Sequence, residues 1–69
     1  MLVKLITNDC PKCKVLEEKL KQKNIEYDIS YDIMKYSKKY QILSAPILEI
    51  NDKGYDFSTA INWVNNYEN

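Results

Sequence analysis

The chain has no histidine and no arginine, and it holds one glycine, two prolines and two cysteines in 69 residues. Each shortage excludes something. Without arginine, nothing can clamp a phosphate or a purine edge with a bidentate guanidinium fork. The ten basic residues are therefore all lysines, and ten acidic residues balance them to a formal net charge of zero. No bulk electrostatic attraction to nucleic acid or to a membrane surface is expected. Two cysteines and no histidine fall short of the ligand set of a zinc site within one chain. No apolar run approaches the length of a membrane span. The apolar start MLVKLI is short and broken by Lys4, so it does not read as a signal peptide. The expected location is the cytoplasm, where a structural disulfide is unusual and a CxxC pair more often works in catalysis or metal binding.

What is present suits a small folded protein. Hydrophobic residues make up 45% and charged residues 29% of the chain, too apolar for disorder. The length predicts one domain over residues 1–69, with a core that leaves little margin. No linker, repeat or low-complexity segment interrupts it.

Leu2 to Thr7 reads as a strand, so nearly continuously apolar that both faces should be covered. After a turn at Asn8 to Cys10, Pro11 to Lys23 turns helical. Cys13, Leu16 and Leu20 share one face, with Val15 beside them. Glu17 and Lys21 form a favourable i,i+4 pair. Asn24 is expected in a left-handed conformation just past the helix, with Ile25 packing back on the last turn. Ile25 to Ser30 alternates as a second strand, with Ile25, Tyr27 and Ile29 pointing one way. Asp32 to about Tyr40 predicts a short helix with Ile33, Tyr36 and Tyr40 on one face. Ile47 to Ile50 is a third strand, Asn51 to Gly54 a turn, and Tyr55 to Phe57 a short fourth strand. Ser58 is the expected N-cap of a last helix whose apolar stripe is Phe57, Ala60, Ile61, Val64 and Tyr67. A helix between the first two strands requires them to be parallel, and the last two strands should form a hairpin.

The stretch NDCPKC, Asn8 to Cys13, holds both cysteines. Pro11 suits the first helical position, where its missing N–H costs nothing. That puts Cys10 at the N-cap, where unsatisfied backbone N–H groups and the helix dipole favour a thiolate. Such placement lowers a cysteine pKa. Lys12 and Lys14 act in the same direction and Asp9 opposes them, so a net lowering is expected at Cys10. Cys13 lies about one turn on and faces inward. One sulfur can then attack a disulfide while the other resolves the mixed disulfide. Far along the chain, Pro46 directly precedes an apolar strand, the position of a first strand residue.

A CPxC motif at a strand–helix junction, the β–α–β order and a proline opening a later strand together resemble the thioredoxin fold. At this length the chain is most similar to the glutaredoxin-like branch, and the match covers essentially all of it. The stretch KKYQILSAPILEI is similar to that family's approach to its proline loop. The resemblance implies a minimal thioredoxin fold, β-α-β-α-β-β-α, with a four-stranded mixed sheet and helices on both faces. It implies a cis Ala45–Pro46 bond facing the cysteines, with the Ala45 backbone pairing an extended substrate. Cys10 and Cys13 would be catalytic, and Pro11, Lys12, Ala45 and Pro46 would contact substrate. No tightly bound cofactor is expected, and glutathione is a candidate co-substrate. The expected partners are a disulfide-bearing protein client and a reductant, either glutathione or a flavoprotein reductase, acting on a monomer.

The chain departs from the family in three places. The Gly-Gly pair that glutaredoxins carry before the last helix is replaced by NDKGYDFSTA, where Ser58 and Thr59 still offer a helix N-terminus. Lys12 stands where an aromatic is frequent, and Gln41 where a helix-ending glycine is common. Tyr40 and Tyr55 are candidates for a groove, with core or rim packing the alternative, and Trp63 reads as core. Three other readings compete with an enzyme: a non-catalytic binding or adaptor module, a metal site completed only by a dimer, and two inert thiols. The last fits Cys13 as a small apolar residue but leaves Cys10 beside Pro11 unexplained.

Overall fold

The structure, a computed structural model, describes residues 2–68. Its elements run β1 (Val3–Ile6), α1 (Pro11–Gln22), β2 (Asp28–Ser30), α2 (Ile33–Tyr40), β3 (Ile47–Ile50), β4 (Lys53–Tyr55) and α3 (Phe57–Asn65). The strands form one mixed sheet in the order β2-β1-β3-β4. β1 runs parallel to β2, and antiparallel pairing joins β1 to β3 and β3 to β4. The β2 C-terminus, the β1 C-terminus and the β3 N-terminus therefore lie at one end of the sheet: Ile6 pairs with Ser30 on one side and Ile47 on the other.

The alternation of β1 and β3 divides the interior into two layers. Val3 and Leu5 of β1 and Leu48 and Ile50 of β3 pack with Leu16 and Leu20 of α1 and Ala60 and Val64 of α3. On the opposite face Ile6 and Ile47 pack with Tyr36 of α2, flanked by Ile33, Tyr40 and Ile42. The expected covering of both faces of β1 is thus met, including at Lys4, which turns to the α2 side and donates to the Tyr36 hydroxyl at 2.9 Å. Its ammonium also lies 5.4 Å from that ring's centroid, within cation–π reach.

α1 ends as its sequence predicts. Asn24 has φ 56°, the Asn24 N–H bonds Lys21 O at 3.1 Å and the Ile25 N–H reaches back to Leu20 O at 3.0 Å. This is a Schellman end with asparagine in the left-handed position. Gln41 takes the same role after α2, with φ 58°. The Glu17 carboxylate accepts from the Tyr27 hydroxyl at 2.9 Å, which ties α1 to the segment entering β2.

Three expectations are corrected. β2 is only Asp28–Ser30, and Ile29 is exposed although Ile25 is buried, because β2 is an edge strand with a partner on one side only. The hairpin turn is tighter than NDKG suggests. Asn51 and Asp52 occupy it with φ 49° and 67°, the two positive values of a type I′ turn, so β4 begins at Lys53 rather than Tyr55. α3 is capped by Asp56, whose side chain accepts the Thr59 N–H at 2.9 Å, and Ser58 lies inside the helix. The earlier start brings Phe57 into the helix, where it packs on the core.

Candidate functional site at the start of the first helix

β1 ends at Ile6, and the chain turns through Thr7, Asn8 and Asp9 before Pro11 opens α1. Local hydrogen bonds set this turn. Thr7 Oγ1 accepts the Asp9 N–H at 3.0 Å, and Asn8 Oδ1 accepts the Cys10 N–H at 3.2 Å. Both are the i to i+2 side-chain bonds that Thr and Asn offer in turns. Asp9 takes φ 62°. Cys10 then stands at the N-cap with extended backbone, and its Sγ accepts the Cys13 N–H at 3.1 Å. A first-turn N–H with no partner in the helix thus points at sulfur.

The two cysteines are reduced and unlike each other. Cys10 is half-buried, whereas Cys13 is 1% exposed. Cys13 Sγ lies 3.5 Å from Asn8 Oδ1. Opposite the pair, the Ala45–Pro46 bond is cis, and Ala45 O lies 4.0 Å from Cys10 Sγ. Pro46 is buried and Ala45 half-buried. The fold therefore brings Cys10, Cys13, Ala45 and Pro46 together from two loops separated by more than thirty residues, as expected.

Pro11 and Lys12 sit at the exposed start of α1 beside Cys10. The Lys12 ammonium lies 5.5 Å from the centroid of the Phe57 ring, so the α3 start borders the site. The α3 N-terminus is not wholly open to a ligand, since Asp56 already takes the Thr59 N–H. Tyr40 packs against Gly54 and donates to Glu49, which makes it a structural residue of the α2 side. Tyr55, Trp63 and Tyr67 line a shallow groove of about 610 Å³ along α3 whose lining includes neither cysteine.

The charge balance differs from the simple N-cap expectation. Burial and the neighbouring Cys13 side chain push the Cys10 thiol above the ordinary value, against the pull of the Cys13 and Lys12 backbone N–H groups. Burial also pushes Cys13 up, but hydrogen bonds from the Cys10 and Thr7 side chains and from the Asn8 and Cys10 backbone outweigh it and bring Cys13 down. The reason is proximity. Two sulfurs that act on each other titrate as a pair, so the first proton leaves more readily than from a free thiol and the second less readily. The expected lowering belongs to the pair's first ionisation rather than to Cys10 alone. Exposure, rather than charge, sets the two thiols apart, since Cys10 is half-buried and Cys13 buried.

Thr7 and Asn8 were not singled out by sequence. The one available signal was Asn two residues before a cysteine at a helix start, the Asx-turn spacing. Among the described residues, no group of three or more His, Cys, Asp or Glu side chains converges, and no helix is long and apolar enough to cross a membrane. No protein-family model, curated protein or solved structure matches this chain.

Proposed function

We propose that this chain is a small dithiol–disulfide oxidoreductase with a minimal, glutaredoxin-like thioredoxin fold, reducing disulfides by exchange through Cys10 and Cys13. The observation that carries this reading is the asymmetry of the pair. A reachable Cys10 sulfur receives the Cys13 N–H at 3.1 Å, and Cys13 stands directly behind it at 1% exposure. The element order, the mixed sheet and the cis Ala45–Pro46 bond beside Cys10 support the same reading.

The chemistry follows in two exchanges. The Cys10 thiolate attacks one sulfur of the client disulfide. A Cys10–client disulfide forms, the client S–S bond breaks, and the released client thiolate takes a proton from solvent. Cys13, deprotonated, then attacks Cys10 Sγ. The Cys10–Cys13 bond forms, the mixed disulfide breaks, and the second client thiolate leaves. Two electrons pass from the dithiol to the client. The exposed Pro11–Lys12 start of α1 and the Ala45–Pro46 loop flank Cys10, the more exposed thiol of the pair, so the client chain adjoins these residues. The client is a protein disulfide, and glutathione or a flavoprotein reductase returns the pair to the dithiol in the cytoplasm, with the chain acting as a monomer.

Equilibration against reduced and oxidised glutathione tests the reading. A single two-electron transition between dithiol and Cys10–Cys13 disulfide is expected, absent in Cys10→Ser and in Cys13→Ser. If no glutathione ratio oxidises the pair, the enzyme reading is lost. If a Cys10→Ser/Cys13→Ser chain still performs its role in cells, the fold serves as a binding module instead.

A further inference from the structure

The groove along α3 is a second concavity, separate from the dithiol. It has a volume of about 610 Å³, and neither cysteine lines it. Its walls are aromatic. Tyr55 comes from β4, Trp63 from α3 and Tyr67 from the segment that follows the helix. The Trp63 and Tyr67 rings, one helical turn apart in sequence, have centroids 5.2 Å apart and planes inclined at 47°. All three residues are half-buried. Each rests partly on the core and also lines the groove.

The charge at this groove has one sign. Glu68 is exposed at its end, and among the described residues no lysine lines it, although the chain holds ten. The helix acts in the same direction. α1 has Lys19 and Lys21 in its last turn and α2 has Lys38 and Lys39, whereas the last turn of α3 has no basic residue. The negative end of its dipole is therefore not offset from within the helix. Lys23, just past α1, is drawn to this end, where its ammonium donates to the Tyr67 carbonyl at 3.2 Å. That bond takes a backbone oxygen, not the Tyr67 ring or the Glu68 carboxylate, and Lys23 is not part of the lining.

Aromatic faces attract a cation held within about 6 Å of the ring centroid. Three rings beside one carboxylate thus suit an organic cation rather than an anion or a neutral apolar molecule. Hydrogen bonding narrows the kind of cation. A primary ammonium brings three N–H donors that each need an acceptor. A quaternary ammonium has none and offers methyl groups to the ring faces. The Asn66 amide of the groove is already tied to the Asn62 carbonyl at 2.9 Å. We propose that the groove between Tyr55, Trp63 and Tyr67 binds a small quaternary ammonium compound, with its methyl groups on the rings and its charge balanced by Glu68. This site stands whether or not Cys10 and Cys13 exchange disulfides.

Trp63 is the chain's single tryptophan, so its fluorescence reports the groove directly. At constant ionic strength, choline chloride should change the Trp63 emission along a saturable curve. Amide resonances of α3 and of Tyr67 and Glu68 should shift with it, and those of Cys10 and Cys13 should not. The neutral carbon analogue of choline, with a tert-butyl group in place of trimethylammonium, should bind about tenfold more weakly. Tyr67→Leu should weaken choline binding about fivefold, and Glu68→Gln about threefold, the worth of one exposed charge pair. Equal binding of the neutral analogue would mean an apolar groove with no preference for charge, and it overturns the proposal. So does a response that sodium chloride reproduces or that never saturates. Glu68 is exposed, so Glu68→Gln leaves the core intact. Unchanged choline affinity in that variant overturns the site whatever Tyr67→Leu does to folding.

Discussion

Cys10 and Cys13 come from one four-residue stretch, yet the fold makes them different thiols. Pro11 starts the helix, which sets Cys10 outside the first turn and Cys13 inside it. Each then acts on the other, and this coupling has a measurable consequence. The wild-type dithiol should titrate in two steps, one below and one above the ordinary thiol value, since Cys13 is brought down and Cys10 pushed up. In Cys13→Ser the upward push of the Cys13 thiol on Cys10 is gone, while the backbone N–H groups still aim at its sulfur. A single step is expected, lying below the upper step of the wild type, as read by thiolate absorbance or by alkylation rate against pH. A Cys10 step at or above that value would show that burial rather than the neighbour holds it up. The motif was legible in the sequence because spacing and one proline sufficed. The division of charge was not, because it depends on how close the sulfurs stand and how deeply Cys13 is buried.

Among the elements, the β3–β4 hairpin and α2 show what pattern reading misses. Gly54 looked like a turn residue. It lies instead in β4 opposite Glu49, and the positive φ values fall on Asn51 and Asp52. The glycine serves a close approach, since a Cβ there would run into the ring of Tyr40. That ring is fixed by its place in the α2 layer and by its bond to Glu49. Gly54→Ala should therefore destabilise the chain by about 1–3 kcal/mol, the usual cost of forcing atoms into filled space. Urea unfolding measures it, and combining the change with Tyr40→Ala should recover part of the loss relative to the sum of the two. If Gly54→Ala unfolds at the wild-type midpoint, the ring yields and the contact does not select glycine. At α3, two residues of equal capping preference competed, and Asp56 prevailed over Ser58 because the earlier start turns Phe57 onto the core. Helix faces were legible for the most part: Cys13, Leu16 and Leu20, then Tyr36, then Ala60 and Val64 are the buried positions of their helices, but Val15, expected beside the α1 face, is exposed.

For the molecule as a whole, two thin layers on one small sheet leave the ties between elements to carry weight. The Tyr27 hydroxyl, donating to Glu17 of α1, is one of these. Burial, with the Glu17 carboxylate beside it, pushes this phenol from 10.0 up to about 12. The folded state thus keeps a proton that the unfolded chain releases near pH 10. The resulting stability is fully present below pH 10 and is lost as the pH rises toward 12. Urea midpoints measured from pH 8 to 11.5 should fall above pH 10, and the fall should be shallower in Tyr27→Phe. An equally steep fall in that variant would mean that other groups cause the loss.

Sequence alone established what depends on neighbours along the chain. Period-2 and period-3.6 patterns reveal strands and helices, Asn24 ends α1, and Pro11 puts Cys10 on a helix cap, all through contacts a few residues long. Folding settled whatever depends on groups brought together from afar. Ala45 and Pro46 stand against Cys10, and Tyr40 lies over Gly54. The physical reason is the same in each case. Burial, close packing and the sharing of a proton act between atoms a few ångströms apart, and no local pattern records that distance for residues distant in sequence.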